Sequence, residues 1–285
     1  MLNSDQKIEF LSQILPFIKK LSGRIIVIKY GGAAMKNDDL TSKVLDNVLL
    51  LSSIGVKVVL VHGGGPMINH WLKKCNIEPK FYNGIRITDE DTMEIVEMVL
   101  VGKVNKKLVS MLNTKKQCAV GLSGKDGNLA IASRLFKSEE NFVGEINAID
   151  IKVLNLLIKN NYIPIIASIA ADKNGQTYNI NADTFAGILA DALSAEKLVF
   201  LTDIPGIMYD INDIGTLIKS INIDKIKELK EEKIISGGMI PKVDCCINAV
   251  KGNVKSAHII DGKVHNGILL ELFTNERIGS MITFE

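Results

Sequence analysis

Arginine is scarce in this chain of 285 residues: there are 4, against 30 lysines. Cysteine is equally rare at 4 residues, aromatics make up 5% and tryptophan occurs once. So few cysteines, two of them adjacent (Cys245, Cys246) and none in a CxxC spacing, exclude a disulfide scaffold and give no zinc or dithiol motif. They fit a reducing compartment. Surplus charge is also missing, since 34 basic against 32 acidic residues leave +2. That balance excludes a broadly basic nucleic-acid binder. No apolar run approaches the ~20 residues of a membrane helix; the longest are Ile25–Ile28 and Ile163–Ala171. The amino terminus, with Asp5 and Glu9, has neither a signal nor a transit pattern. The expectation is a soluble protein, cytoplasmic or in the plastid stroma if organelle-encoded, with no membrane or nucleic-acid partner.

What is abundant is isoleucine (40), lysine and asparagine (23). Their shared A/T-rich codons suggest an organelle or an AT-rich genome, against which a retained arginine such as Arg86 stands out. β-Branched runs at 24–29, 56–61, 161–168, 197–201 and 256–260 read as buried strands. Helical stretches at 39–54, 66–75, 89–112, 182–193 and 240–251 lie among them. This alternation predicts an α/β fold, an open αβα sandwich with a mainly parallel central sheet. Residues 1–22 add an amphipathic helix for packing on this chain or on another subunit, which Pro16 is expected to kink or break.

Three glycine clusters follow strands or open a helix: Gly31-Gly32, Gly63–Gly65 and Gly237-Gly238. Such turns present backbone N–H groups to anions. Two familiar nucleotide motifs fail. GxGxxG from Gly63 meets Ile68, and a P-loop ending at Gly124-Lys125 has Asp126 for Ser/Thr and Ala119 for its first glycine. Lys29 precedes one cluster and Lys242 follows another, an arrangement suited to phosphoryl transfer. Asp183, just after Asn181-Ala182, is placed to hold both ammonium groups, although a carboxylate also suits a helix start by itself. Arg86, in the segment Asn83–Asp89, suits a substrate carboxylate or an ordinary ion pair. His62 and His70 read as core or surface histidines, and no Ser/His/Asp or Cys/His nucleophile arrangement stands out.

Taken together, Ile28–Gly32, His62–Pro66, Asn83–Asp89, Gly102–Lys106, Gly121–Asp126, Tyr178–Asp183, Leu201–Asp203 and Gly237–Lys242 resemble the acetylglutamate kinases, members of the amino acid kinase family. The resemblance implies ATP-dependent phosphorylation of the γ-carboxylate of N-acetyl-L-glutamate in arginine biosynthesis, with Mg²⁺ carried on the phosphates and no protein metal site. It implies catalytic roles for Lys29, Lys242 and Asp183 and substrate contacts from Gly64, Gly65, Arg86 and Asn179. Nucleotide contacts would come from Gly31, Gly32, Thr202, Asp203, Gly237, Gly238 and Met239. An acetylglutamate lobe would span 23–175 and an ATP lobe 176–285. The helix of residues 1–22 implies a hexamer, a trimer of dimers, inhibited by L-arginine bound near Lys197, His258 and Glu271. Asn266 stands where the resemblance leads us to expect histidine. Photosynthetic relatives also bind the PII signalling protein. Glutamate 5-kinase, carbamate kinase and a non-catalytic arginine- or PII-binding subunit stay open as alternatives.

Overall fold

The computed structural model describes residues 3–31, 35, 37–82 and 84–285. The strands are β1 (Ile25–Tyr30), β2 (Lys57–His62), β3 (Phe81–Tyr82), β4 (Ile85–Arg86), β5 (Ala119–Ser123), β6 (Ala130–Arg134) and β7 (Val143–Ile149). They continue as β8 (Ile163–Ala167), β9 (Ile169–Ala171), β10 (Thr177–Ile180), β11 (Lys197–Thr202), β12 (Ser220–Asn222), β13 (Ser256–Asp261) and β14 (Ser280–Thr283). The α-helices are α1 (Ser4–Leu21), α2 (Asp38–Ser53), α3 (Gly65–Lys74), α4 (Glu90–Glu97) and α5 (Lys106–Asn113). The second group is α6 (Lys152–Lys159), α7 (Ala182–Ala192), α8 (Ile223–Glu231), α9 (Met239–Lys251) and α10 (Gly267–Phe273).

Eight strands form one sheet in the order β12-β14-β13-β11-β1-β2-β8-β5. Only the β13–β14 pair is antiparallel; β1 runs parallel to both β2 and β11. Helices cover both faces, and the apolar side chains form two core clusters. Alternation along β1 shows how: Val27 packs into one cluster, Ile26 and Ile28 into the other, all fully buried. A strand buried on both faces needs apolar residues at consecutive positions, as its sequence has. The expected open sandwich is therefore present. The carboxyl ends of β1, β2 and β11 meet at the centre of one sheet edge, where ligands bind in folds of this kind.

Several features differ from the sequence reading. Helix α1 continues through Pro16 without a break. Pro16 lies on the exposed side, where water can satisfy the Ser12 carbonyl that proline leaves unbonded. The predicted helix over 89–112 is two α-helices joined by a π-helical segment, Met98–Asn105. A second small sheet, β10-β7-β6-β9, closes on itself as a barrel, and β3 and β4 form a hairpin. All four cysteines are free thiols. Among the described residues no helix is long and apolar enough to cross a membrane.

Candidate active site

Lys29 leaves the sheet near the end of β1, and Lys242 projects from the first turn of α9. Both reach one carboxylate. The Lys29 ammonium lies 2.8 Å from Asp183 Oδ1 and that of Lys242 lies 2.6 Å from Oδ2, with all three side chains under 20% exposed at 13%, 12% and 18%. Asp183 sits on the first turn of α7, whose N-cap Asn181 accepts from the backbone N–H of Asp183 and Thr184. Burial alone would raise the Asp183 carboxyl. The two lysine charges and their hydrogen bonds outweigh burial and hold it at about 2. The three residues that the sequence reading linked thus meet at one point.

On the Lys29 side lies a cavity of about 280 Å³, lined by Gly31, Gly64, Gly65, Arg86, Asn179 and Asp183 among others. The glycines serve different ends here. A Cβ on Gly64 would come within 2.5 Å of Leu100 Cδ2, whereas one on Gly65 would meet nothing within 4 Å. Gly64 is small for packing, and Gly65 leaves space that a ligand can enter. Among the described residues nothing accepts from the backbone N–H of either. Gly31 opens on this cavity rather than the larger one beside Lys242, and a Cβ there would stand 2.6 Å from the Lys29 ammonium. Gly32 and Asn83 lie outside the described residues.

Arg86 is 8% exposed. Its Nη2 donates to Asn69 Oδ1 at 2.5 Å, and its guanidinium lies 4.8 Å from the centre of the Phe81 ring. Among the described residues its buried Nη1 has no hydrogen-bond partner. Burial pulls the guanidinium below its ordinary pKa. A carboxylate in the cavity would satisfy the orphaned donor and offset that desolvation. Asn179 donates to Thr88 Oγ1 at 3.2 Å, tying β10 to the Arg86 loop. Asn69 and Phe81 were not legible as site residues, because their partner is separated from them in sequence.

On the Lys242 side a larger cavity of about 760 Å³ is lined by Thr202, Asp203, Gly206, Tyr209, Gly238 and Met239 among others. Gly237, with φ +54°, turns the chain into α9, and a Cβ on Gly237 or Gly238 would meet nothing within 4 Å. Among the described residues no group of three or more His, Cys, Asp or Glu is arranged to hold a metal ion. A Mg²⁺ ion carried mainly by phosphate oxygens requires no such cage. The failed P-loop at Gly124-Lys125 is structural: Lys125 pairs with Glu97 at 2.7 Å, and Asp126 accepts from Ser123.

Away from both cavities, Lys197, His258 and Glu271 share a third of about 160 Å³ with Phe17, Lys20 and Arg277. His258 Nδ1 lies 2.7 Å from Glu271 Oε1, and its Nε2 lies 3.1 Å from the Lys197 ammonium. Burial brings His258 down to about 4 and Lys197 down to about 8. Asn266 does not line this cavity; it precedes α10 without a side-chain capping bond, and its Oδ1 accepts from Asn47 at 3.1 Å.

A sequence model of the amino acid kinase family matches residues 24–261. The acetylglutamate kinase of Gracilaria tenuistipitata var. liui is 60% identical, covering 99% of each chain. That of Pyropia yezoensis is 54% identical over 99% of each. That of Thermosynechococcus vestitus is 50% identical, over 99% of this chain and 96% of the relative. Among solved structures, the fold resembles N-acetylglutamate synthase from Neisseria gonorrhoeae, solved with coenzyme A and N-acetyl-glutamate, at TM-score 0.86 and 23% identity. That match covers 98% of this chain and 63% of the synthase. Carbamate kinase from Giardia lamblia bound to AMP-PNP has TM-score 0.67 and 17% identity, with 93% and 99% covered.

Proposed function

Because the chain belongs to the amino acid kinase family, among its acetylglutamate kinases, we propose that it transfers the γ-phosphoryl group of ATP to the γ-carboxylate of N-acetyl-L-glutamate in arginine biosynthesis. The observation that carries this reading is the Lys29–Asp183–Lys242 junction between a small cavity holding an arginine N–H unpartnered among the described residues and a larger glycine-edged one. The bond formed joins a carboxylate oxygen to the γ-phosphorus, and the bond broken joins that phosphorus to the β–γ bridging oxygen, releasing ADP. The acceptor is already ionised at neutral pH, so no general base is needed. That accounts for cavities whose described lining holds no histidine or nucleophile pair.

Lys29 and Lys242 neutralise charge on the transferring group, and Asp183 fixes where they stand. Gly64 and Gly65 offer N–H groups to the acceptor, Arg86 grips its α-carboxylate, and Asn179 holds the amide-bearing portion. Thr202, Asp203 and the Gly237–Met239 segment meet the nucleotide, as the larger cavity supports. Mg²⁺ bound to the phosphates supplies further charge neutralisation. We assign the acceptor end to residues 23–175 and the nucleotide end to 176–285, with Asn179 and Asp183 reaching back across that boundary. A hydroxamate assay should yield acyl phosphate only with acetylglutamate present. Equal yield without it would dismiss the reading.

Regulation belongs to the same reading. L-Arginine would bind at the Lys197–His258–Glu271 cavity, which α1 helps to wall through Phe17 and Lys20. Exposed Ile8, Phe10, Leu11 and Leu15 on α1 support helix docking between copies, as in a hexameric trimer of dimers. Sedimentation giving only dimers, or activity indifferent to millimolar arginine, would remove this regulation. The red algal and cyanobacterial relatives support a plastid setting and PII as a partner, which co-elution with purified PII tests.

A further inference from the structure

We propose that His62 and Asn105 are positioning residues, a buried hydrogen-bonded relay that holds the Gly63–Gly64 peptide with its N–H turned into the smaller cavity. The proposal rests on the reading above, that this cavity receives the anionic acceptor. His62 ends β2 and is fully buried. Its Nδ1 lies 2.9 Å from the Gly63 carbonyl oxygen, which can only accept, so the ring proton is on Nδ1. Its Nε2 lone pair then faces the Asn105 side-chain nitrogen at 3.1 Å. The same nitrogen donates to the Ile165 carbonyl at 2.8 Å and approaches that of Leu122 at 3.3 Å. Donors and acceptors match along the chain: the Asn105 amide donates to the imidazole, and the imidazole donates to the peptide. Burial, against a weaker bond to Gly63, keeps the ring neutral at neutral pH.

The consequence follows from peptide geometry. In a planar trans peptide the carbonyl of one residue and the N–H of the next point in opposite directions. Tying the Gly63 carbonyl to His62 in the core therefore aims the Gly64 N–H away from the core, and Gly63 and Gly64 both line the cavity. With glycine on each side of this peptide, no Cβ opposes a flip. A flipped peptide would set a carbonyl oxygen against an anion. The relay makes that flip cost a buried hydrogen bond.

The surrounding structure is built to fit. The π-helical segment Met98–Asn105 brings Leu100 and Val104 onto Gly64 while carrying Asn105 beneath His62. A Cβ on Gly64 would stand 2.5 Å from Leu100 and 3.3 Å from Val104. A Cβ on Gly121 would stand 2.0 Å from Asn105 Oδ1, so glycine there makes room for the amide. π-Helical turns are rare and concentrate at functional sites. Here the turn holds the glycine loop by packing and by hydrogen bonding at once.

The test is steady-state kinetics of the full chain, each variant assayed well below its melting temperature. For Asn105→Leu we expect kcat/KM for acetylglutamate to fall about 10-fold or more while the KM for ATP stays within about twofold, the split expected for a misaimed acceptor donor. His62→Asn, whose amide nitrogen can replace Nδ1 as donor to Gly63, should keep most of the activity. His62→Gln, whose nitrogen corresponds to Nε2, should not. Equal losses in the two histidine variants, or an Asn105→Leu enzyme matching the wild type, would overturn the relay. Should the variants not fold, ¹H–¹⁵N spectra of the wild-type ring decide: an Nδ1–H tautomer supports it and an Nε2–H tautomer refutes it. Absence of acyl phosphate from the wild-type protein would sink the parent reading instead, leaving the tautomer to judge the relay.

Discussion

The two cavities that meet at Asp183 are built in different ways. The smaller, about 280 Å³, is framed by the ends of β1 and β10, the β3–β4 hairpin and the start of α3. Its one arginine is already held by Asn69 and Phe81. The larger, about 760 Å³, draws on connecting segments around 203–211 and 233–238, where Tyr209 is 53% and Ile211 73% exposed. On the proposed reading, the acceptor end is therefore framed by regular structure, while the nucleotide end draws on exposed connecting segments. Recognition by fixed groups is sensitive to small displacements; recognition by adaptable ones spreads its cost over many contacts.

The sharpest way to break this contrast is at the junction, which belongs to both ends. Lys29→Ala or Lys242→Ala should lower kcat by ~10²–10³, as for loss of one donor to a developing anion, with small changes in either KM. Near-normal turnover in either variant would remove that lysine from the chemistry. Next in size, Arg86→Lys should raise the KM for acetylglutamate by ~10–100-fold, since an ammonium cannot reproduce a two-pronged grip. A rise confined to ATP would place Arg86 at the wrong end.

Asp183→Asn probes stability. A carboxyl held at about 2, below its ordinary 3.8, stabilises the fold above the unfolded value and loses that contribution as pH falls from about 4 to about 2. The variant should accordingly be less stable than wild type by about 2 kcal/mol at neutral pH, with the gap closing over that acid window. A gap that is constant with pH in denaturant titrations would contradict the ion-pair account. The smallest effect is expected at the loop-built end. Thr202→Val should change the KM for ATP by only ~2–10-fold, one neutral hydrogen bond's worth, and leave that for acetylglutamate unaltered. A larger loss would mean that the larger cavity is as tightly specified as its neighbour.

How much of this was readable beforehand follows the same division. Lys29, Asp183 and Lys242 announced themselves because glycine clusters and strand ends are local signals. The parallel sheet was legible because strands buried on both faces need unbroken β-branched runs, as in β1 and β2. Asn105 and His62 were not paired in advance, since they stand 43 positions apart and meet only where the π-helical segment packs on the sheet. The π-helical segment was hidden for a related reason: its side chains satisfy ordinary helical spacing closely enough to read as one long helix. The four strands of the small barrel escaped because they are short and only partly apolar, so they carry weak periodicity. Pro16 misled in the opposite direction, since a local rule against proline in helices takes no account of which side faces water.

One carboxylate touching two lysines has a geometric corollary. Lys29 belongs to the sheet and Lys242 to a helix lying against it, yet both are tethered to a single side chain on the first turn of α7. The separation of the two positive charges is thus copied from the bite of one carboxyl group rather than from how sheet and helix happen to be packed. Breathing of the cavities can widen or narrow the space for either ligand while the gauge between the charges stays constant.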